Sequence, residues 1–227
     1  MKIKNPFRDL TKFELILWLA SVCVTVVSFA LSGGGSLLSM VASLIGVTAL
    51  IFVAKGYVLG QVLTVVFAVF YGIVSFYLRY YGEMITYLCM TAPIAIVTVI
   101  EWLRHPYKGT KEVQVSRLSR GRIAIMLVGS AAVTAAFYFI LRALGNASLI
   151  TSTVSITTSF VASYLTFCRS PYYALAYAAN DIVLIVLWVI AAIGDISYLP
   201  MVMCFVMFFA NDIYGFINWR RMQARQI

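Results

Sequence analysis

Long apolar runs separated by short polar breaks dominate the chain. Eight of these runs approach the roughly 20 residues that a helix needs to cross the hydrocarbon core of a bilayer. We therefore predict eight transmembrane helices, spans 1 to 8, at 13–31, 35–54, 57–78, 84–103, 122–141, 148–168, 171–192 and 198–219. The breaks carry turn-forming or basic residues: Ser32-Gly33-Gly34-Gly35, Lys55-Gly56, Arg79-Tyr80-Tyr81-Gly82, the loop 104–121, Gly145-Asn146, Arg169-Ser170-Pro171 and Gly194-Asp195.

The composition agrees with this pattern. Hydrophobic residues make up 63% of the 227 residues and charged residues only 11%, whereas soluble domains are about half apolar and a quarter charged. Lipid must therefore cover most of the surface, which predicts an all-α integral membrane protein with one transmembrane domain over 1–227. The net charge of +9 does not indicate nucleic acid, because the basic residues lie between the apolar runs and at the two ends.

The distribution of basic residues fixes a predicted orientation. With the N-terminus in the cytoplasm and eight alternating spans, all but two of the 17 Lys and Arg residues fall in cytoplasmic segments. The two exceptions are Arg79 and Arg142. Cytoplasmic loops of membrane proteins carry an excess of Lys and Arg, so we expect both termini to be cytoplasmic.

The sequence also suggests an internal repeat. Span 4 ends in Ile-x-Trp-x-Arg at Trp102, and span 8 ends in the same pattern at Trp219. A short basic turn, Lys55-Gly56 or Arg169-Ser170, lies in each copy. Although a Trp followed by Arg is common at any cytoplasmic helix end, the loop lengths and directions agree as well. We predict two parallel three-helix units, 35–103 and 148–219, with 122–141 as a linker helix and 13–31 as an extra N-terminal helix; parallel repeats of this kind occur in SWEET-type transporters.

Polar residues inside the spans predict what the units enclose. An acid in mid-membrane costs several kcal/mol unless it faces a cavity or a partner, and spans 7 and 8 each carry an Asn-Asp pair. Amides, acids and aromatic rings suit a solute with a flat ring and hydroxyl groups, and a carboxylate also suits a cationic ring. We therefore predict a transporter for a small polar solute. The candidate substrate-binding residues are Gln61, Tyr71, Tyr177, Asn180, Asp181, Asn211 and Asp212.

Other chemistry is poorly supported by the sequence. The four cysteines show no CxxC spacing and the single His105 lies in a loop, so we predict no metal and no cofactor. The phosphate-binding pattern GxxxxGK[ST] is missing, and we predict that the chain is not an enzyme. Two other classes stay open as less favoured alternatives: an intramembrane lipid-modifying enzyme and a passive scaffold.

Several of these residues together resemble the PnuC family of bacterial nicotinamide riboside transporters. In the first half the resemblance rests on Ala54-Lys55-Gly56, Tyr71, Tyr81-Gly82-Glu83-Met84, Pro93 and Trp102, and at the C-terminus on the run from Asn211 to Arg221. It implies a SWEET-like pair of three-helix bundles, a homotrimer in the bacterial plasma membrane, and facilitated diffusion of nicotinamide riboside by alternating access. It also implies that a cytosolic kinase traps the vitamin for NAD biosynthesis.

The sequence departs from the family pattern at two points near the expected site. Family members commonly carry a Trp-x-x-Trp pair leading into span 7, where this chain has Tyr172-Tyr173 and then Tyr177. Many members also have a Gln two residues after the span-4 proline, where this chain has Ala95. Tyr173 or Tyr177 would then replace a stacking Trp. Another vitamin or nucleoside (a deoxyribonucleoside, thiamin or riboflavin) stays open as the alternative substrate.

Overall fold

The structure is a computed structural model that describes residues 5–32, 37–77, 80–146 and 148–226. The predicted break at 33–35 and the basic residues Lys2, Lys4 and Arg79 lie outside the described residues. Eight long helices are present within that part of the chain, and we number them as follows: α1 Lys12–Leu31, α2 Leu37–Ala54, α3 Val58–Tyr77, α4 Tyr81–Arg104, α5 Arg120–Ala143, α6 Leu149–Phe167, α7 Tyr173–Gly194 and α8 Leu199–Gln226.

The eight predicted spans correspond to these eight helices, and each is long and apolar enough to cross a membrane. The boundaries differ most in two places. Tyr81 and Gly82, which the sequence analysis placed in a break, already belong to α4. The last helix continues to Gln226, seven residues beyond the predicted end of span 8. These residues are mainly polar and charged, so hydropathy does not show that the helix continues through them. A π-helical turn, Thr86–Thr91, interrupts α4 just before Pro93; the sequence analysis did not predict it.

The packing is consistent with two groups of three helices. Helix α3 packs against both α2 and α4, and α7 packs against both α6 and α8. The two groups meet where α2 contacts α8 and where α4 contacts α6. Helix α5 packs chiefly against α6 and has few buried residues, as expected of a linker. Helix α1 lies against α2 and α8, one helix from each group.

Matched turns close α2 and α6 at one end of the molecule. Gly56 (φ 69°) and Arg169 (φ 57°) both adopt a left-handed backbone. In the first turn the amide of Tyr57 donates to the carbonyl of Phe52 (2.9 Å), and in the second the amide of Ser170 donates to Leu165 (3.0 Å). These bonds form the Schellman pattern that satisfies the last carbonyls of a helix. The loop between α4 and α5 joins the turns, since the amides of Val113 and Ser116 donate to the carbonyls of Gly56 and Arg169 (2.9 Å each).

The two tryptophans of the predicted repeat cross between the groups at the same end. The indole of Trp102 at the end of α4 donates to the carbonyl of Thr166 in α6 (3.1 Å). The indole of Trp219 in α8 donates to the carbonyl of Val53 in α2 (2.9 Å), and the two indole rings lie 5.4 Å apart. This reciprocal exchange supports the interpretation of α2–α4 and α6–α8 as repeated units.

Basic residues from distant parts of the chain collect at this end. Lys55 pairs with Glu14, Lys111 with Asp9, Arg169 with Glu101 and Arg225 with Glu112. We call it the basic end. The start of α1, both matched turns, the α4–α5 loop and the end of α8 all meet there, as the predicted topology requires.

Candidate functional site

A central cavity lies between the two units. Its volume is about 50 Å³, far below the roughly 300–1,000 Å³ of a small-molecule site, so the two units close tightly around it in this structure. Helices α2, α3, α4, α7 and α8 form its wall. The lining residues are Gly46, Ala49, Leu50, Val53, Gln61, Thr64, Phe67, Tyr87, Thr91, Tyr173, Tyr177, Asn180, Asp181, Phe208 and Asp212.

A pair of carboxyl groups is the main polar feature of this wall. Asp181 of α7 and Asp212 of α8 are 2% and 4% exposed, and their side chains interact with each other. Asp181 Oδ2 has no hydrogen-bond partner among the described residues. Buried carboxyl groups in a membrane helix are costly unless something compensates them. None of the described residues on the wall is Lys, Arg or His, so no basic side chain on the wall pairs with these carboxyl groups.

Hydroxyl groups of α6 hold Asn180 in place. The Asn180 Oδ1 atom lies 3.3 Å from the Ser155 hydroxyl, 2.8 Å from that of Thr158 and 3.1 Å from that of Ser159. These hydroxyl groups of α6 therefore form a layer behind the wall. With its oxygen used by these hydroxyls, the Asn180 amide nitrogen is the group left to donate to a ligand.

Tyrosine rings provide the aromatic part of the cavity. The Tyr177 hydroxyl lies 3.1 Å from Ser163 Oγ. The Tyr173 ring packs edge-on against Trp219, with centroids 4.9 Å apart. A Cβ atom added at Gly215 would lie 3.1 Å from the Tyr173 hydroxyl, so the glycine leaves room for that group. The third ring is Tyr87, which the π-helical turn of α4 presents to the cavity.

The structure brings five of the seven predicted site residues together on this wall: Gln61, Tyr177, Asn180, Asp181 and Asp212. The other two lie elsewhere. Tyr71 is buried behind the wall, where its hydroxyl accepts a hydrogen bond from the Trp188 indole (3.1 Å). Asn211 points towards α1 and donates to Ser21 Oγ (3.0 Å). Neither Tyr71 nor Asn211 lines the cavity.

Several wall residues were not among the predicted set. Tyr173 and Phe208 lie one helical turn before Tyr177 and Asp212, so helical spacing would have indicated them. Tyr87 and Thr91 lie four residues apart on α4 and also share this wall, in the stretch that forms the π-helical turn. Among the described residues, no three His, Cys, Asp or Glu side chains are grouped closely enough to hold a metal ion.

Comparison with known proteins gives the family. Residues 36–221 match the model of the nicotinamide mononucleotide transporter family. The chain belongs to that family. It is 28% identical over 228 residues to the nicotinamide riboside transporter PnuC of Neisseria mucosa. This match covers 98% of this chain and 86% of that protein. It is also similar to a solved structure titled the crystal structure of the vitamin B3 transporter PnuC, with a TM-score of 0.83 and 26% identity over 96% of this chain and 94% of the other.

These relatives confirm the resemblance seen in the sequence. The protein is a multi-pass membrane transporter of the nicotinamide mononucleotide transporter family, with an all-helical fold like that of the solved PnuC structure. Helix α1 precedes the region that matches the family model, although it is an integral part of the fold.

Proposed function

We propose that the protein carries nicotinamide riboside across the membrane by facilitated diffusion. The observation that carries this proposal is the wall of the central cavity, which combines the Asp181–Asp212 pair with tyrosine rings and, among its described residues, has no basic side chain. Nicotinamide riboside consists of a flat, permanently cationic pyridinium ring joined to a hydroxylated sugar. Each part of that molecule has a matching group on the wall.

The pyridinium ring fits the second unit of the protein. A cation over the face of a tyrosine is attracted by the ring, and the attraction is larger where water is excluded. Tyr173 and Tyr177 precede Asp181 on the same helix at intervals of one turn, so ring and carboxylate face the same space. The cationic ring therefore compensates the acid pair, while the amide groups of Gln61 and Asn180 suit the carboxamide and the ribose hydroxyls.

The family is named for nicotinamide mononucleotide and the relative for nicotinamide riboside, which lacks the phosphate group of the mononucleotide. The cavity favours the riboside. A phosphate carries up to two negative charges near neutral pH, and proteins bind it with Arg, Lys or backbone amides. In this cavity it would meet Asp181 and Asp212 instead. Repulsion between like charges in a poorly solvated site makes the riboside the better ligand.

Binding to the purified protein tests the substrate. We expect isothermal titration calorimetry to detect nicotinamide riboside and to show nicotinamide mononucleotide binding at least about 30-fold more weakly, a difference of about 2 kcal/mol. The same panel includes thiamin, riboflavin and a deoxyribonucleoside. Binding of one of these compounds without binding of nicotinamide riboside would replace our substrate, and equal binding of the mononucleotide would contradict our interpretation of the acid pair.

The mode of transport has a separate test. We propose alternating access between the two units, with the vitamin retained in the cell by a cytosolic kinase. In proteoliposomes without a membrane potential or ion gradient, uptake should stop when the inner and outer concentrations are equal. Accumulation above that level on imposing a proton or sodium gradient, at zero membrane potential, would show ion coupling and overturn facilitated diffusion.

The cellular setting is also part of the proposal. The gathering of Lys55, Lys111, Arg169 and Arg225 at one end supports a cytoplasmic location for that end and for both termini. We propose that the protein lies in a bacterial plasma membrane, that it forms a homotrimer, and that it is a transporter rather than an enzyme. Light scattering of the purified protein in detergent measures the oligomeric state, and a monomer would contradict the trimer.

A further inference from the structure

Helix α1 makes buried polar contacts to both units although it lies outside the residues that match the family model. Its buried face consists of Glu14, Ser21, Thr25 and Ser28 rather than large apolar side chains. Small residues such as serine and threonine are ordinary at helix interfaces in membranes, whereas a buried acidic side chain is costly there. The buried carboxylate of Glu14 therefore needs its own explanation.

Glu14 connects two helices that line the cavity. Its side chain is 2% exposed, and the ammonium group of Lys55, at the end of α2, donates to its two oxygens at 3.0 and 3.2 Å. The hydroxyl of Tyr214 in α8 donates to Oε1 at 2.8 Å. The backbone amide of Thr11 donates to Oε2 at 2.6 Å. Both oxygens are thus fully used, and they hold three segments of the chain together.

These contacts belong to a set of hydrogen bonds that joins α2 to α8 beside the cavity. The last two residues of α2 and the residue that follows them are tied to α8. The carbonyl of Val53 accepts from the Trp219 indole and that of Ala54 from the Asn218 amide (2.9 Å). Lys55 is linked to Tyr214 because both contact the Glu14 carboxylate. Val53 lines the cavity. Tyr214 follows Asp212 by two residues. We call this set of ties the α2–α8 seam; it joins the two units at the basic end.

We propose that Glu14 is a positioning residue for transport, which holds α2 and α8 together at the basic end and whose release accompanies opening of the cavity to that side. The proposal rests on the alternating-access part of the proposed function and not on the identity of the solute. Opening at the basic end requires α2 and α8 to separate. An ion pair that bridges both helices from a third helix sets how readily they do so.

The side from which the cavity is reached tests the proposal. The four native cysteines, Cys23, Cys89, Cys168 and Cys204, are replaced by alanine, and Ala49 on the cavity wall is changed to cysteine. A membrane-impermeant maleimide is then added to inside-out or right-side-out vesicles. We expect Glu14→Gln, which keeps the shape but removes the charge, to raise the labelling rate from the basic end about tenfold without raising it from the opposite end.

A matched control uses another ion pair at the same end. Asp9 pairs with Lys111 at 2.6 Å, but this pair is much more exposed and lies outside the seam. Asp9→Asn should leave labelling from both ends at the parental rate. Tyr214→Phe removes one hydrogen bond and keeps the pair with Lys55, so it should raise labelling from the basic end by only about two- to threefold.

The outcomes separate the proposal from simpler explanations. Faster labelling of Glu14→Gln from both ends would show a loosened fold and overturn the proposal, as would an unchanged rate from the basic end. If Glu14→Gln does not fold, the result for Tyr214→Phe decides in the same way. No solute is added in these measurements, so a wrong substrate would leave them interpretable, whereas a wrong Glu14 assignment would leave the binding panel unaffected.

Discussion

The two three-helix units are alike at the basic end and different at the cavity. At the basic end both units have a left-handed turn residue, the same pair of turn hydrogen bonds and a tryptophan that donates to the other unit. At the cavity, both carboxyl groups on the described wall, Asp181 and Asp212, come from the second unit. The first unit contributes mainly apolar and uncharged side chains, with Gln61 and Tyr87 as its largest polar groups.

The basic end and the cavity differ in symmetry because they meet different physical requirements. Helix ends leave backbone carbonyl groups that must be hydrogen-bonded somewhere, so both units retain a turn that meets the need. The ligand proposed for the cavity has two ends that are chemically different. A wall with the same groups on both sides would fit only one of those ends, whereas an acidic side and an uncharged side orient a molecule with a cationic ring and a sugar.

The largest expected effect comes from removing charge on the acidic side. Asp181→Asn keeps the shape of the side chain but removes its attraction for a cation. We expect the affinity for nicotinamide riboside to fall about 30-fold, or about 2 kcal/mol, in isothermal titration calorimetry. The affinity for the neutral dihydro form of the same riboside should change less than threefold.

The uncharged side provides the matched comparison. Gln61→Ala removes a hydrogen-bonding group but no charge, so it should weaken binding of the cationic and neutral ribosides by the same factor, about fivefold. If Gln61→Ala discriminated between the two ligands as strongly as Asp181→Asn, the division of the cavity into an acidic and an uncharged side would be wrong.

The paired tryptophans give the next largest effect. Trp102→Phe and Trp219→Phe each remove a buried indole hydrogen bond to the opposite unit, and each should destabilise the protein by about 2 kcal/mol. Thermal unfolding followed by tryptophan fluorescence measures this loss. Only Trp219 contacts a cavity tyrosine, Tyr173, so only Trp219→Phe should also weaken ligand binding. Equal losses of affinity in both variants would mean that the basic end controls binding symmetrically.

The contrast between the two regions also explains what the sequence could predict. The eight helices follow from hydropathy, and the repeat was suggested by Trp102 and Trp219, because both signals are local in sequence. Asp181 and Asp212 were found because acids in apolar runs are conspicuous. Tyr71 and Asn211 look equally polar in sequence, yet their partners, Trp188 and Ser21, are distant in the chain. Tyr87 was not among the predicted site residues, although Thr91, four residues later, lines the same wall.

The matched turns should differ in their tolerance of a side chain. Gly56→Ala places a Cβ atom at φ 69° and 2.7 Å from the terminal methyl group of Met222, which we expect to destabilise the protein by about 1–2 kcal/mol. Gly194→Ala is the control, because a Cβ atom there meets nothing within 4 Å. Thermal unfolding that is equally unaffected in both variants would show that Met222 and the backbone adjust freely. The second turn already tolerates a side chain at the corresponding position, Arg169.

The smallest expected effects concern the serines behind the acidic side. Ser159→Ala removes one of three hydroxyl groups near Asn180 Oδ1, and Ser155 and Thr158 still hold the amide in place. We expect less than a twofold loss of affinity for nicotinamide riboside in calorimetry. Ser163→Ala removes the hydroxyl group that contacts Tyr177, so we expect a loss of about threefold, or about 0.7 kcal/mol. The reverse order would mean that Asn180 depends on Ser159 alone and that the Tyr177 ring is fixed by packing rather than by its hydroxyl group.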